Sequence, residues 1–357
     1  MLNTHPSGRS FLSLGGVREL QIGLLLLALL AIPALLPTPQ EPSAQVDSAS
    51  SRDRPPGTRL LEVQLSEGRI RLADDVRITG ASARIQRREM VEVVSTDEIL
   101  NLRDGAIADT RTFYLGTDSL GRDILSRLMG GARISLSIAL LAMLLAFTLG
   151  LTVGSLAAIG PRWLDELLMR TVDALLAFPQ LFLIIALAAL FRPNTWWIIL
   201  LLGGTSWMTL TRLARAEIVS LQKQEFVLAS RSIGLHPLAV LTRHLLPNAL
   251  TPLIVSSALL VGNLILAEAA LSFFGFGVRP PTPSWGNMVR NSYDSLGSTW
   301  WAALFPGIAI ALTVIAFNLV GDGLRDRLDP KRRSSSPSAP LPEPASVSDP
   351  DLARRPW

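Results

Sequence analysis

Long stretches of apolar residues without a single Asp, Glu, Lys or Arg alternate with polar segments along this 357-residue chain. These uncharged stretches occupy residues 20–40, 134–161, 174–191, 193–211, 244–267 and 295–321. Crossing the hydrocarbon core of a bilayer takes roughly 20 apolar residues, and each stretch is about that long or longer. Because an α-helix satisfies its backbone hydrogen bonds within one segment, the pattern predicts an all-α polytopic membrane protein with six transmembrane helices.

Basic residues are unevenly distributed between the segments that join these stretches. If the N-terminus is inside, one side of the membrane receives the basic residues of 1–19, 162–170, 212–243 and 325–333. The short loops on the other side carry only Arg192, Arg279 and Arg290. Cytoplasmic loops carry the excess of Lys and Arg. We therefore expect both termini in the cytoplasm, and we attribute the basic character of the chain to its topology rather than to a nucleic-acid partner.

This topology divides the chain into five parts. We expect a cytoplasmic N-terminus over 1–19, a first transmembrane helix over 20–36, an external linker, insert and interfacial helix over 37–131, a five-helix transmembrane core over 132–322, and a disordered cytoplasmic tail over 323–357. The core contains a cytoplasmic loop over 212–248. The alternative for the first stretch is a secretory signal with Ala44 near its cleavage point.

The largest polar segment lies between the first and second stretches. It begins with PTPQEPSAQVDSASSRDRPPG (37–57), whose Pro and Ser content is typical of a flexible linker. RLLEVQL, GRIRLADDVRI and EMVEVVS then alternate apolar and polar residues, which predicts a small β-rich insert over 59–107. An irregular loop packed on the membrane face is the alternative. Ser95 and Glu98 have the spacing of a capping box.

The segment just before the second stretch predicts an amphipathic helix that lies on the bilayer surface, capped by Asp118 or Ser119. Its apolar face would contain Ile124, Leu125, Leu128 and Met129, and its polar residues would be Arg122, Asp123 and Arg127.

A basic segment, LASRSIGLHPLAVLTRHLLPN (228–248), lies between two apolar stretches. Apolar residues recur at helical spacing over 217–233, and Gly234 follows as a C-terminal cap. Pro237 suits the first position of a second helix, which we expect to end at Leu246 before Pro247. Two helices joined by a tight turn and held at both ends by transmembrane helices predict a rigid protrusion that docks to a soluble partner.

The chain lacks the residues that several kinds of metal, nucleotide and catalytic site require. The chain has no cysteine and three histidines, so we expect no metal site. No GxxxxGK motif followed by Ser or Thr occurs, and neither HExxH nor GxSxG appears. We therefore expect a non-catalytic chain. Two residues within the spans are candidates for a structural or pathway role: Glu268, an intramembrane acid, and Pro179, a helix-kinking residue.

Three further motifs accompany the basic segment: LGTDSLGRDILSRLMGGARIS, EAALSFFGFGVRPPTPSWGNMV and GDGLRDRLDP. In order and spacing the four resemble the C-type permease subunit of the dipeptide, oligopeptide and nickel family of ABC importers. The resemblance covers residues 113–330, and the basic segment is similar to the EAA loop of that family. Leu228 departs from the pattern, because the family often carries a glutamate there.

The resemblance implies a type I ABC importer permease in the bacterial inner membrane, forming half of a pathway for peptides or similar small solutes. It also implies a heterodimer with a related permease, an external solute-binding protein, and two cytoplasmic ATPase subunits that hold ATP and Mg, with no cofactor in this chain. The ATPase-coupling residues would be Glu225, Ala229, Ser230, Ile233, Gly234, Leu235, His236 and Pro237. The alternative is an ion-coupled secondary carrier that acts without ATPases.

Overall fold

The computed structural model of the protein describes residues 16–103, 105–190 and 194–328. Its helices are α1 (Gly16–Leu35), α2 (Ser48–Ser51), α3 (Ile124–Ile159), α4 (Arg162–Leu176), α5 (Gln180–Leu190), α6 (Thr195–Leu221), α7 (Glu225–Ser232), α8 (Pro237–Val240), α9 (Leu246–Phe274), α10 (Trp285–Tyr293) and α11 (Trp300–Leu328). Most of the predicted N-terminus and tail lies outside the described residues. Residues 323–328, assigned to the tail, are instead helical.

Within the described residues, five helices are long and apolar enough to cross a membrane: α1, α3, α6, α11 and the continuous helix Pro237–Phe274. They confirm the predicted helical polytopic fold. The remaining uncharged stretch, 174–191, is divided between the end of α4 and the 11-residue α5. Pro179 lies at the break, because proline has no N–H to donate and disfavours helical geometry in the residue before it.

Small residues set the distance between the two most extensively packed helices, α3 and α6. A Cβ atom on Gly150 would lie 2.6 Å from the Cβ of Leu210, and one on Gly154 would lie 2.7 Å from the carbonyl oxygen of Thr211. Apolar burial does not drive helices together in lipid, so close packing at small residues four apart is a main source of association. The same close approach joins α1 to α11, where a Cβ on Gly23 would lie 2.9 Å from the Ala316 carbonyl oxygen.

The predicted β-rich insert is present and extends from Thr58 to Phe113. Its strands are β1 (Thr58–Gln64), β2 (Ile70–Ala73), β3 (Asp75–Thr79), β4 (Ser82–Arg87), β5 (Met90–Ser95), β6 (Leu102–Arg103), β7 (Ala106–Ile107) and β8 (Thr110–Phe113). They form antiparallel sheets in the orders β2-β1-β8, β3-β4-β5 and β6-β7. Val63, Ala83 and Ile85 are fully buried between them, so the irregular-loop alternative is wrong.

Two local predictions for this region are wrong. The segment 37–57 is not a free linker, because the buried Asp47 carboxylate accepts hydrogen bonds from the Leu72 backbone N–H (2.9 Å) and the Ser50 hydroxyl (3.1 Å), and pairs with Arg87. No capping box forms at Ser95, whose side chain makes no cap hydrogen bond to the single 3₁₀ turn Thr96–Glu98. Asp47 finds its partners in strands β2 and β4, outside the segment 37–57, so the local sequence did not predict these contacts.

The predicted interfacial helix is also absent as a separate element. Asp123, not Asp118 or Ser119, caps the helix by accepting from the Ser126 N–H (2.8 Å), and α3 then runs without interruption to Ile159. The polar side chains are buried: Asp118 pairs with Arg122 at 2.7 Å and lies 3.7 Å from Arg127. The amphipathic pattern predicted that these polar side chains face water, but they are buried and form ion pairs with one another.

Candidate coupling surface

The basic loop between α6 and α9 contains two short helices and protrudes from one end of the helix bundle. The predicted single helix over 217–233 is interrupted, because α6 ends at Leu221 and α7 begins at Glu225. Gln222 closes α6, and its side-chain amide donates to the carbonyl oxygen of Ala158 at the end of α3 (2.9 Å). This hydrogen bond connects the start of the protrusion to the end of α3.

Gly234 ends α7 in the left-handed backbone conformation that the sequence predicts, with φ +81°. Its N–H donates to the Arg231 carbonyl oxygen (3.0 Å), and the Leu235 N–H donates to the Ser230 carbonyl oxygen (3.3 Å). No atom lies within 4 Å of the position that a Cβ would occupy. Backbone conformation alone, and not lack of space, favours glycine here.

The second helix begins as predicted but does not end at Leu246. Nδ1 of His236 accepts from the Leu238 N–H (3.3 Å), and Pro237 occupies the first turn of α8. A π-helical turn, Leu241–Leu245, then leads directly into α9. The wider turn precedes Pro247, whose ring would collide with the carbonyl group four residues earlier in a regular α-helix. α8 is therefore continuous with the long helix α9.

One face of the protrusion is anchored in the helix bundle. Val227, Leu241 and Leu245 are buried together with Ile218 of α6 and Ala249 of α9. Ser230, one of the predicted coupling residues, is also buried, and its hydroxyl donates to the Phe226 carbonyl oxygen (2.8 Å).

The loop also exposes four apolar side chains. Ile233 is 79% exposed and Leu238 is 57% exposed. Phe226 is 44% exposed and Leu228 is 50% exposed. We call these four residues the coupling surface. Because exposed apolar surface on a protein is found at interaction sites, these residues are the candidates for contact with a partner. Of the predicted residues, Glu225, Ala229, Ile233, Gly234, His236 and Pro237 are exposed and Leu235 is half-buried.

Phe226, Leu228 and Leu238 were missed by the sequence reasoning. They are apolar residues among polar neighbours, and apolar periodicity alone identifies the residues of a buried stripe and not those that stay exposed.

An ion pair braces the bundle close to this end. Asp165 of α4 and Arg215 of α6 form two hydrogen bonds, of which that between Nη2 and Oδ2 is 2.6 Å long. The hydrogen bonds from Arg215 hold the pKa of Asp165 below its ordinary value, against the opposing effect of desolvation. The brace joins α4 to the helix that leads into the protrusion.

Glu268 and Pro179 lie away from the coupling surface. The Glu268 carboxylate is fully buried and accepts from the hydroxyls of Ser135 (3.0 Å) and Ser272 (2.7 Å). Ser272 in turn accepts from the Val278 N–H (3.2 Å), so the acid links α3 and α9 to the segment that precedes α10. These contacts support the structural role for Glu268. Pro179 is exposed between α4 and α5.

Comparisons with known proteins give consistent matches. Residues 150–334 match the family described as binding-protein-dependent transport system inner membrane component. The chain is 40% identical over 221 residues to the dipeptide transport system permease protein DppC of Alkalihalophilus pseudofirmus, covering 62% of this chain and 73% of that protein. It is 42% identical over 224 residues to the di/tripeptide transport system permease protein DppC of Pseudomonas aeruginosa, covering 63% and 74% respectively.

Among solved structures, the chain is similar to a chain of the MetNI methionine ABC transporter in an inward-facing conformation. The TM-score is 0.46 and the sequence identity 18%, over 55% of this chain and 93% of that one.

Proposed function

The chain belongs to the family of binding-protein-dependent transport system inner membrane components, and we propose that it forms half of the pathway of an ATP-driven peptide importer. This membership agrees with the resemblance read from the four motifs. The names of the relatives support peptides or similar small solutes as the cargo. The comparisons offer no support for the ion-coupled carrier.

The coupling surface carries the proposal. It presents Ile233 and Leu238 to a partner, while Val227 and Leu245 anchor the same segment in the bundle. An exposed apolar patch on a rigid, anchored protrusion suits docking to a soluble subunit. The partner that this geometry fits is a cytoplasmic ATPase. We place two such subunits in the complex, with ATP and Mg bound to them.

Coupling then follows from the continuity of the helices. Closure of the ATPases displaces α7 and α8, and α8 passes the displacement through the π turn into α9. The amide of Gln222 transmits part of it to α3. Nucleotide drives transport only if it binds one arrangement of the complex more tightly than the other. In this mechanism the chain is not itself a catalyst.

The remaining partners and the orientation follow from the same proposal. The chain pairs with a related permease subunit, and an external solute-binding protein delivers the cargo. The protrusion faces the cytoplasm, the insert faces the outside of the inner membrane, and both termini are cytoplasmic. The distribution of basic residues among the loops supports this orientation.

A detergent pull-down of the intact chain from its native membrane tests the proposal. Replacing Ile233→Asp and Leu238→Asp together should weaken ATPase binding by more than roughly tenfold, because loss of a hot-spot contact costs about 2 kcal/mol or more. The related permease should still co-purify.

The matched control is Leu100→Asp, since Leu100 is 65% exposed but lies in the insert. Equal ATPase recovery from the double variant and the control would contradict the assignment. So would a chain that purifies alone and moves solute down an ion gradient.

A further inference from the structure

Polar side chains lie at mid-depth on one face of the helix bundle, where lipid offers them no partner. Asn263 lies near the middle of α9 and Thr209 near the middle of α6, and both side chains are exposed. Among the described residues, none is hydrogen-bonded to the Asn263 amide. An amide that faces hydrocarbon without a partner is costly. Asn263 therefore requires water, solute or another protein chain beside it.

The two residues line one cavity of about 500 Å³ between α5, α6 and α9. Its polar lining consists of Gln180, Ser206, Thr209, Ser256 and Asn263. On α9 the lining positions include 256, 260, 263 and 267, and on α6 they include 206, 209 and 213, so each helix contributes a single face. Gln180 is oriented by donating to the Ser206 hydroxyl (3.0 Å), which leaves its carbonyl oxygen free to accept.

A second cavity of about 630 Å³ adjoins the first and extends it toward the end of the bundle that carries the coupling surface. Leu213, Ser256 and Leu259 line both cavities. Charged side chains enter only in the second, which Glu217 and Arg325 border, whereas none of the described residues that line the first is charged. The polar face is thus continuous from mid-depth to the coupling end.

We propose that this face, which we call the polar wall, is the pathway surface of this chain and that its amides and hydroxyls bind the backbone amides of a peptide. Asn, Gln, Ser and Thr supply both donors and acceptors, as a peptide backbone does. A wall without fixed charge holds peptides through hydrogen bonds and does not select between acidic and basic side chains. This inference rests on the proposed function, since it takes the cargo class from there.

The absence of cysteine from the chain makes the wall directly testable. Asn263→Cys introduces the only thiol, and Leu144→Cys is the matched control. Leu144 is 54% exposed near the middle of α3 and lines neither cavity. Inside-out vesicles from the native host are treated with a charged, membrane-impermeant methanethiosulfonate, and labelling is read from the mass of the purified chain.

Without nucleotide, the thiol at position 263 should react at least about tenfold faster than that at 144, because the reactive thiolate forms in water and not in an apolar setting. Addition of Mg-ATP and vanadate should slow it. Equal, slow reaction at both positions would show that lipid or another subunit covers the wall, and would overturn the inference. Fast reaction at 263 that ignores nucleotide would keep the wall but contradict the proposed ATP coupling.

Peptide contact has its own test. In the native transporter, uptake of Ala-Glu-Ala and Ala-Lys-Ala is compared between the unaltered chain and Asn263→Asp. A carboxylate in the wall should shift the uptake ratio toward the lysine peptide by roughly tenfold, because a charge pair a few ångströms apart gains several kcal/mol before desolvation is deducted. Asn263→Gln, which keeps the amide, should leave the ratio unchanged. An unchanged ratio in Asn263→Asp would show that the peptide does not contact this wall.

Discussion

Two segments with the same amphipathic pattern differ in which of their side chains the protein buries. The residues that lead into α3 bury their polar side chains, with Asp118, Arg122 and Arg127 each at most 6% exposed. The loop that carries the coupling surface instead exposes apolar side chains, and Ile233 is 79% exposed. An amphipathic pattern predicts that two faces meet different environments. It does not say which face is covered, because the neighbouring segments decide that.

The largest effect should come from breaking the buried cluster before α3. Asp118 accepts from Nε of Arg122 (2.7 Å) and from the backbone N–H groups of Leu120 (3.0 Å) and Arg122 (2.9 Å). Asp118→Ala leaves a buried guanidinium unpaired and should lower the stability by about 3–5 kcal/mol. Thermal unfolding of the purified complex in detergent measures the loss.

Asp118→Leu together with Arg122→Met separates the charge effect from packing. Removing the Asp118 carboxylate and the Arg122 guanidinium together leaves Arg127 as the remaining buried charge of the cluster, so only part of the lost stability should return, since apolar residues often replace buried ion pairs at little cost. A double variant less stable than Asp118→Ala would show that the cluster is not held by mutual pairing.

An intermediate effect should follow from Gly234→Val on the coupling side. A β-branched residue in the left-handed region costs roughly 1–2 kcal/mol, so the turn after α7 should shift. Because this turn sets the angle between α7 and α8, we expect ATP hydrolysis to continue while uptake falls in reconstituted vesicles.

Gly204→Ala is the control, as Gly204 lies within α6, has no positive φ and has nothing within 4 Å of an added Cβ. Wild-type coupling in Gly234→Val would remove the turn from the coupling mechanism.

The smallest effect concerns pH at the brace between α4 and α6. Hydrogen bonds from Arg215 lower the pKa of Asp165 in the folded chain. The pair therefore stabilises the fold above the unfolded pKa of about 3.9, and this contribution is lost as pH falls through the lower folded value. Because both side chains are partly exposed, at 24% and 34%, the contribution should be no more than about 1 kcal/mol.

The check is the difference in melting temperature between the unaltered chain and Asp165→Asn. It should be present at pH 6 and shrink as the pH approaches 3. A difference that does not change with pH would mean that packing, and not charge, holds α4 to α6.

Local patterns in the sequence were sufficient where one segment satisfies its own physical needs. Apolar stretches long enough to cross a bilayer, alternating strands and the glycine turn after α7 all appear in the structure. Prediction failed where a segment finds its partners elsewhere in the chain. Asp47 reaches Arg87 and Leu72, which lie in strands β4 and β2 and not in its own segment.

The site shows the same division. Gly234 and Pro237 were identified because the backbone demands of a turn and of a helix start are local. The exposed apolar residues Phe226 and Leu238 were not, because exposure depends on what packs against a residue. The polar wall was missed for the same reason, since Gln180, Thr209 and Asn263 come from three different helices, α5, α6 and α9.

The sequence by itself determined that this chain is a membrane protein of helices and that a basic loop turns at Gly234, and its alternating residues over 59–107 predicted strands that the structure then established. Each of these depends on residue type and spacing within a single segment. The tertiary structure alone decided which polar side chains are buried as ion pairs, which apolar ones remain uncovered for a partner, and which face of the bundle holds a polar wall. Those outcomes depend on contacts between distant segments, and no local pattern specifies them.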